Sequence, residues 1–253
     1  MALVPGSVGA VLLAGGRCPP DLAAAAGVEC RALLPFRGRP MAEWVLEAVR
    51  AAPSIGRIVA VGDLPQTLGC TIAPGGRTIL ESIRNGTEAL GGDSFLLVSA
   101  DIPFLTPDAV EDVCRKSVES GAWFCYSIIP MSACEAAFPG VKRTAVRIRE
   151  GYFTGGNITY LHRQFLEENW ARVEAAHAAR KSPLRLAAML GPGMTLRLLI
   201  GWLAPSTLSL GYLEKKASRM LGAPVKAIIT EHASVGTDID SIEHWQAFSR
   251  ADA

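Results

Sequence analysis

The residues best suited to chemistry in this chain are paired glycines, three carboxylates and a few isolated cations, and their spacing points to phosphate. An apolar run, VGAVLLAGG, ends in Gly15-Gly16 and is followed at once by Arg17. Glycines there let backbone N–H groups approach a ligand that a Cβ would keep away, and phosphate oxygens suit such a concave set of donors. Asp101 ends another apolar run, SFLLVSAD. A carboxylate in that place stands at the ligand-binding edge of a sheet, and Mg²⁺ takes one or two carboxylates and completes its shell with phosphate oxygens and water. An Asp before Ile102-Pro103 also suits a plain turn. Near the C-terminus Asp238 and Asp240 flank Ile239, so in an extended stretch both carboxylates share a side and can supply further metal ligands. Asp240 followed by Glu243 also reads as a capping-box-like start to the last helix, which leaves Asp238 the freer carboxylate.

Arg17, Arg31, Lys142 and Arg143 are the cations suited to a triphosphate, whose negative charge grows on the leaving pyrophosphate as the bond to the α-phosphorus breaks. Arg31 precedes ALLPF and ends a stretch, 17–30, that reads as a long loop with neither a Walker motif nor GxGxxG. Asn157 follows Gly155-Gly156, where its amide suits a ribose, a sugar hydroxyl or a metal-bound water, and equally an ordinary turn. In APGGRTILESIRNGTEAL, Gly75-Gly76 precede a helix; such an entrance can face a base or phosphate or simply turn the chain. The four histidines form no nucleophile or ligand pattern, and the six cysteines lack C-x-x-C spacing, so neither a zinc site nor a disulfide framework is signalled.

A sheet is needed to bring these residues together. Apolar runs at VGAVLLA, RIVAVG and SFLLVSA alternate with helical segments, the pattern of a parallel sheet with crossover helices. Right-handed crossovers place the loops after such strands at one edge, where open α/β sheets bind ligands. Met41, Trp44, Val45, Ala48 and Val49 recur at helical spacing and predict one buried face, with Pro40 at the first helical position. Thr106-Pro107-Asp108 opens a helix that turns Val110, Val113 and Cys114 inward. Beyond AWFCYSIIP, the run TAVRIREGYFTGGNITYL predicts short strands joined by glycine turns. From His162 the pattern turns helical: one helix over about 163–180, and another after Pro205-Ser206 with Leu210, Leu213, Ala217 and Met220 on one stripe and Gly222 as its stop. PVKAIIT resumes a strand, and DIDSIEHWQAF closes with a capped helix. With no linker or low-complexity tract between these parts, residues 1–253 are expected to form one domain with a helical insertion at about 162–222.

Composition narrows the function classes. The 253 residues are 49% hydrophobic and 19% charged, enough for a sizeable core. Lys and Arg number 25 against 24 Asp and Glu, for a net charge of +1, so no polyanion-binding surface is expected and nucleic acid is an unsuited partner. LAAMLGPGMTLRLLIGWLAP is broken by Gly191, Pro192, Gly193 and Arg197; it predicts a buried helix or a partner-facing surface, not a transmembrane span. The first apolar stretch lacks a basic flank and runs into glycines, which favours a buried strand over a signal peptide and a cytoplasmic location.

Taken together, LLAGG, RALLPFRGRPM, LLVSADIPFLTPDAV, FTGGNITYL and DIDSIEHW resemble the MobA-like NTP-transferase domain, of the GT-A type nucleotidyltransferases, over most of the chain. The resemblance implies a three-layer α/β/α, Rossmann-like fold with a mostly parallel sheet. It implies that Ala14, Gly15, Gly16 and Arg17 bind the nucleotide, that Arg31 stands where the family carries a basic residue for the phosphates, and that Asp101 holds Mg²⁺, with Asp238 and Asp240 of the closing segment as further ligands. Arg31 and Asp101 are then the residues expected to carry catalysis. PGGRTILESIRNGTEAL is similar to the base-side segment of cytidylyltransferases of isoprenoid synthesis, which places Gly76 and Ser82 near a base, and Asn157 joins the nucleotide set. The implied reaction is attack by an oxygen nucleophile on the α-phosphorus of an NTP, with CTP or GTP as the expected donor. It releases pyrophosphate and transfers NMP to a phosphorylated small-molecule acceptor. The chain departs from the family in lacking the Gly-x-Gly-x-Arg-Met run and in carrying Arg31 where Lys is customary, a change that keeps charge but alters geometry. Two alternatives remain: a catalytically degenerate nucleotide-binding regulatory protein, and a GT-A glycosyltransferase, although Asp101-Ile102-Pro103 lacks the second Asp of that metal motif. Homo-oligomerisation is left open.

Overall fold

A computed structural model of the chain describes residues 3–179 and 208–250. Strand β1 (Val8–Leu13) lies between β4 (Ile55–Val61) and β6 (Ser94–Ser99), parallel to both, with Val11 in register with Val59 and Leu97. Apolar residues run almost unbroken through these strands because helices cover both faces. Beyond β4 comes β5 (Thr71–Ala73), and beyond β6 come β9 (Gly151–His162), β7 (Phe124–Pro130) and β10 (Val225–Ile229). After α5 (Met131–Ala137), β8 (Ala145–Ile148) pairs with the first part of β9, which runs antiparallel to β6, β7 and β8; the remaining pairings of this sheet are parallel. β2 (Pro35–Phe36) and β3 (Arg39–Pro40) make a separate short hairpin.

Alternation along the strands divides the core. Val8, Ala10 and Leu12 of β1 pack with Val45, Leu46 and Val49 of α2 (Met41–Ala51) and with Val110 and Val113 of α4 (Pro107–Ser120). Val11 points the other way, into a cluster with Leu90 of α3 (Ile79–Leu90), Phe165 of α6 (Arg163–Ala179) and Leu221 of α7 (Leu210–Leu221). The result is the three-layer α/β/α arrangement that the sequence predicts, and each fully buried Val, Leu or Phe contributes roughly 1.5–3 kcal/mol of transfer free energy. A third, smaller core joins Leu22 of α1 (Pro20–Ala26), Leu34, Phe36, Met41 and Ile239, with Phe104 and with Ile242, Trp245 and Phe248 of α8 (Ile242–Arg250) against it.

Several predicted features come out differently. The stretch 17–30 is not a bare loop, since it contains α1, closed by Gly27 in the left-handed conformation. Pro40 is the cap before α2 rather than its first residue. FTGGNITYL holds no turn: Gly155-Gly156 lie inside the continuous strand β9, where a Cβ on Gly155 would strike the Tyr126 hydroxyl and one on Gly156 the Ser127 hydroxyl of β7. These glycines are there for close approach of neighbouring strands, which sequence alone does not separate from a turn. Helix α7 ends at left-handed Gly222, as predicted, and begins at a Ser209 cap that the sequence reading did not name. The run 186–205 and Pro205-Ser206 lie outside the described residues, as does the last position of the helix expected over 163–180. Among the described residues no helix is long and apolar enough to cross a membrane, and no disulfide forms.

Candidate functional site

The parallel strands β1 and β6 end side by side, and the segments that leave them build one cleft. Its walls are Leu13, Ala14, Gly15 and Gly16 from the end of β1 onward, Arg31 and Ala32, residues 76–79 with Ser82 at the entrance to α3, and Ser99, Ala100 and Asp101 from the end of β6 onward. The cleft encloses about 290 Å³. A Cβ on Gly15 would meet nothing within 4 Å, so the backbone here faces open space sized for a ligand. On the opposite wall Thr78 caps α3 by accepting from the Glu81 N–H (3.1 Å), and Ser82 Oγ accepts from the Gly76 N–H (3.0 Å), which fixes the glycine turn against the helix. Gly76 needs its missing side chain, because a Cβ would meet Glu81 and lie 2.7 Å from the Ser82 nitrogen.

Arg31 reaches the cleft because the stretch containing α1 is zipped shut at its base. Arg17 and Cys30 form an antiparallel bridge, the Arg31 N–H donates to the Gly16 carbonyl (2.9 Å), and the Cys30 thiol donates to the Ala14 carbonyl (3.3 Å). The guanidinium then donates from Nη1 to Asp101 Oδ2 at 3.0 Å and from Nη2 to the Arg17 carbonyl at 3.1 Å. Arg17 itself does not line the cleft; its backbone serves as the far anchor for Arg31. The Arg31 Nε and Asp101 Oδ1 atoms are buried without hydrogen-bond partners among the described residues.

Asp101 faces a second carboxylate. The Ile239 N–H donates to the Asp101 carbonyl (2.9 Å), which draws the segment around Asp238 against the end of β6. Burial first and the Asp238 carboxylate second push the Asp101 pKa up, with Arg31 pulling against both. A buried, unpartnered carboxylate oxygen beside a like charge is an arrangement that a divalent cation relieves, so Asp101 and Asp238 fit Mg²⁺. Among the described residues no group of three or more His, Cys, Asp or Glu side chains is disposed to hold a metal, so Asp240 does not complete a three-carboxylate set. Asp240 is also not the helix cap: Ser241 accepts from the His244 N–H (3.3 Å), while Asp240 Oδ1 lies 3.3 Å from His244 Nδ1.

Asp238 and Asp240 open onto a second cavity, of about 660 Å³, walled by β7, β8, β9 and α7. Asn157 projects from β9 into it, and so do Lys142 and Arg143, which therefore flank the neighbouring space rather than the glycine cleft. Tyr126, Thr237 and His244 also line this cavity and carried no signal in the sequence: Tyr126 sits in an apolar strand, and only adjacence to Asp238 marks Thr237. Burial raises the Tyr126 pKa, and Asp238 raises it further.

The model of the MobA-like NTP transferase domain matches residues 10–181, the stretch that contains Gly15, Gly16, Arg31, Asp101 and Asn157. The chain belongs to that family. A solved structure described as a hypothetical transferase from Thermus thermophilus is 38% identical, covering 94% of this chain and 98% of that one with a TM-score of 0.83. The fold extends to more distant structures. CMP:2-keto-3-deoxy-manno-octonic acid synthetase in complex with CTP is 15% identical, with 97% and 98% coverage and a TM-score of 0.60. The 2-C-methyl-D-erythritol 4-phosphate cytidylyltransferase from Thermus thermophilus is 17% identical, with 96% and 98% coverage and a TM-score of 0.52. No curated relative matches the chain in sequence. As a member of the MobA-like family with nucleotidyltransferase neighbours, the chain has the GT-A-like fold, and Asp238 and Asp240 lie C-terminal to the matched stretch.

Proposed function

We propose that this MobA-like protein is a Mg²⁺-dependent nucleotidyltransferase that transfers NMP from an NTP to a phosphorylated small molecule and releases pyrophosphate. One observation carries the proposal: the Arg31 guanidinium and the Asp101 carboxylate meet in a glycine-walled cleft at the ends of β1 and β6, with the charge of Asp238 felt at Asp101 from the neighbouring segment. Backbone N–H groups at Gly15 and Gly16 would cradle the triphosphate, and Arg31 would hold its charge as the leaving group departs. Gly76 and Ser82 would border the base, and Asn157, which lines the neighbouring cavity and also the space beside Leu13, Ile79 and Ser99, the ribose side. Asp101 and Asp238 would hold Mg²⁺, which when bound neutralises phosphate charge and orients the leaving group. CTP is favoured as donor by the cytidylyltransferase likeness of residues 74–90. An acceptor phosphate dianion attacks without needing to lose a proton, so the proposed reaction requires no general base. Positioning and charge neutralisation then supply the acceleration.

The 3.0 Å pairing of Arg31 with Asp101 favours one competing reading, a protein that binds nucleotide without turning it over, because the cation occupies the carboxylate that the metal needs. Thermal shifts with the four NTPs, with and without Mg²⁺, combined with pyrophosphate release, separate the two. The transferase predicts stabilisation by one NTP that requires Mg²⁺, about 2.7 kcal/mol at a hundredfold excess over Kd, and release of pyrophosphate with acceptor. Asp101→Ala should remove the Mg²⁺-dependent shift in a protein that remains folded. An unchanged shift would exclude Asp101 from the site.

A further inference from the structure

Resting on the nucleotidyltransferase proposal, we infer that the cavity beyond Asp238 binds the acceptor, and that this acceptor is a phosphate monoester with an apolar body. The phosphate sits at Lys142 and Arg143, and the body lies against Val146, Ile148, Leu210 and Leu213.

Among the described residues the two cations lack carboxylate partners. Lys142 makes no ion pair or hydrogen bond there, and Arg143 makes no ion pair; its Nη2 donates to Thr237 Oγ1 (2.5 Å) while its Nε is buried with no acceptor. A buried guanidinium N–H left unsatisfied costs about as much as a lost charged hydrogen bond, and the oxygens of an arriving phosphate relieve that cost. Thr237 is also tied down, donating to the Ala233 carbonyl (2.8 Å), so it holds Arg143 in a fixed place.

That place identifies the bound phosphate as the attacking group. Thr237 immediately precedes Asp238, whose carboxylate acts on that of Asp101 in the nucleotide cleft. An anion held at Arg143 therefore lies beside the segment that the Ile239 N–H ties to the Asp101 carbonyl. In the reaction one of its oxygens forms a bond to the α-phosphorus while the bond from that phosphorus to the β-phosphate bridging oxygen breaks. The electron pair leaves with pyrophosphate, and the product is a nucleoside diphosphate ester; no oxidant, reductant or further proton donor is required.

The remaining wall selects the body of the acceptor. It presents aliphatic surface from Val146, Ile148, Leu210 and Leu213, and Val146 is 58% exposed. The hydroxyls of Thr154 and Thr237 are already donating to backbone carbonyls. Against Val146, Ile148, Leu210 and Leu213 polyol hydroxyls would give up water without gaining partners, whereas an alkyl or aryl body gains by leaving water; Tyr126, Asn157, Asp240 and His244 line the cavity's polar part.

The test compares n-hexyl phosphate with glycerol phosphate as acceptors, using the NTP that stabilises the protein and reading pyrophosphate release. Hexyl phosphate should give at least a roughly tenfold higher kcat/KM. Lys142→Ala and Arg143→Ala should each raise its KM about tenfold or more while leaving the NTP-induced thermal shift unchanged, with partial recovery in Arg143→Lys. Leu213→Asp should erase the preference for hexyl over glycerol phosphate. Equal or better use of glycerol phosphate, or an unchanged KM in both alanine variants, would overturn the inference. If no NTP shifts the protein at all, it is the transferase proposal that fails; calorimetry with hexyl phosphate alone then tests the cavity, where saturable binding lost in Arg143→Ala supports it and absence of binding overturns it.

Discussion

At Arg31 one guanidinium spans two elements: Nη1 lies 3.0 Å from Asp101 Oδ2 at the end of β6, and Nη2 lies 3.1 Å from the Arg17 carbonyl beyond β1. A lysine carries the same charge but has no planar fork with which to satisfy both acceptors at once. Arg31→Lys should therefore weaken Mg²⁺-dependent NTP binding by roughly 5- to 30-fold, about 1–2 kcal/mol, with little change in Tm. Calorimetric titration of the folded variant checks this, and affinity equal to that of the parent would rule out the two-pronged role. Arg31→Ala should do more, because it removes the one side chain that opposes both burial and Asp238 in setting the Asp101 charge. The family likeness marks Arg31 as a phosphate cation, but only the folded chain reveals its hold on Arg17, because that contact depends on α1 closing on itself.

Helices α4 and α7 show what local sequence specifies and where it stops. Thr106 and Gly222 mark a start and a stop because capping chemistry acts within one turn, so both boundaries are legible from a few residues. Gly155 and Gly156 of β9 and the helix inside 17–30 are not, since strand-to-strand contact and docking on α8 are decided by residues far away in sequence. The same distance rule governs how α4 is fastened to the sheet edge. Asp112 accepts from Lys116 Nζ (2.8 Å) and from the hydroxyl of Thr230 just past β10 (2.9 Å), and Lys116 also donates to the Ile229 carbonyl. Burial alone would raise the Asp112 pKa, but the bonds from Lys116 and Thr230 outweigh it and the pKa is lowered. A lowered carboxylate pKa stabilises the fold above the ordinary value of 3.8 and loses that contribution as pH falls through the folded value. Asp112→Asn should thus cost about 1–2 kcal/mol at neutral pH, with the difference from the parent fading as pH falls below 3.8 through the lowered folded value. Denaturant melts across pH decide it; a penalty that persists in acid would mean packing, not charge, fastens the edge.

The first strand and the segment after β10 come together beside the cleft, where the Ile239 N–H reaches the Asp101 carbonyl. β1 supplies the glycines, while the segment after β10 supplies Asp238 and is held by the small core in which Ile239 is fully buried against Leu22, Leu34, Phe36 and Met41. The Trp245 indole N–H donates to the Pro35 carbonyl (2.7 Å), which clamps α8 onto the same core. The apolar residue between two carboxylates is therefore the anchor that aims them, and the family match, ending at 181, leaves this anchoring to the chain's own C-terminal part. Ile239→Ala removes buried methyl groups next to Asp238 and should cost about 2–4 kcal/mol in stability. It should also weaken Mg²⁺-dependent NTP binding severalfold at temperatures where the variant is folded, because Asp238 loses its fixed distance from Asp101. Leu46→Ala, in the large core under α2, gives the comparison: a similar loss of stability without loss of NTP affinity. Should both variants lower affinity equally, general loosening would account for the effect; if Ile239→Ala alone does so, the small core is what couples the C-terminal segment to the nucleotide cleft.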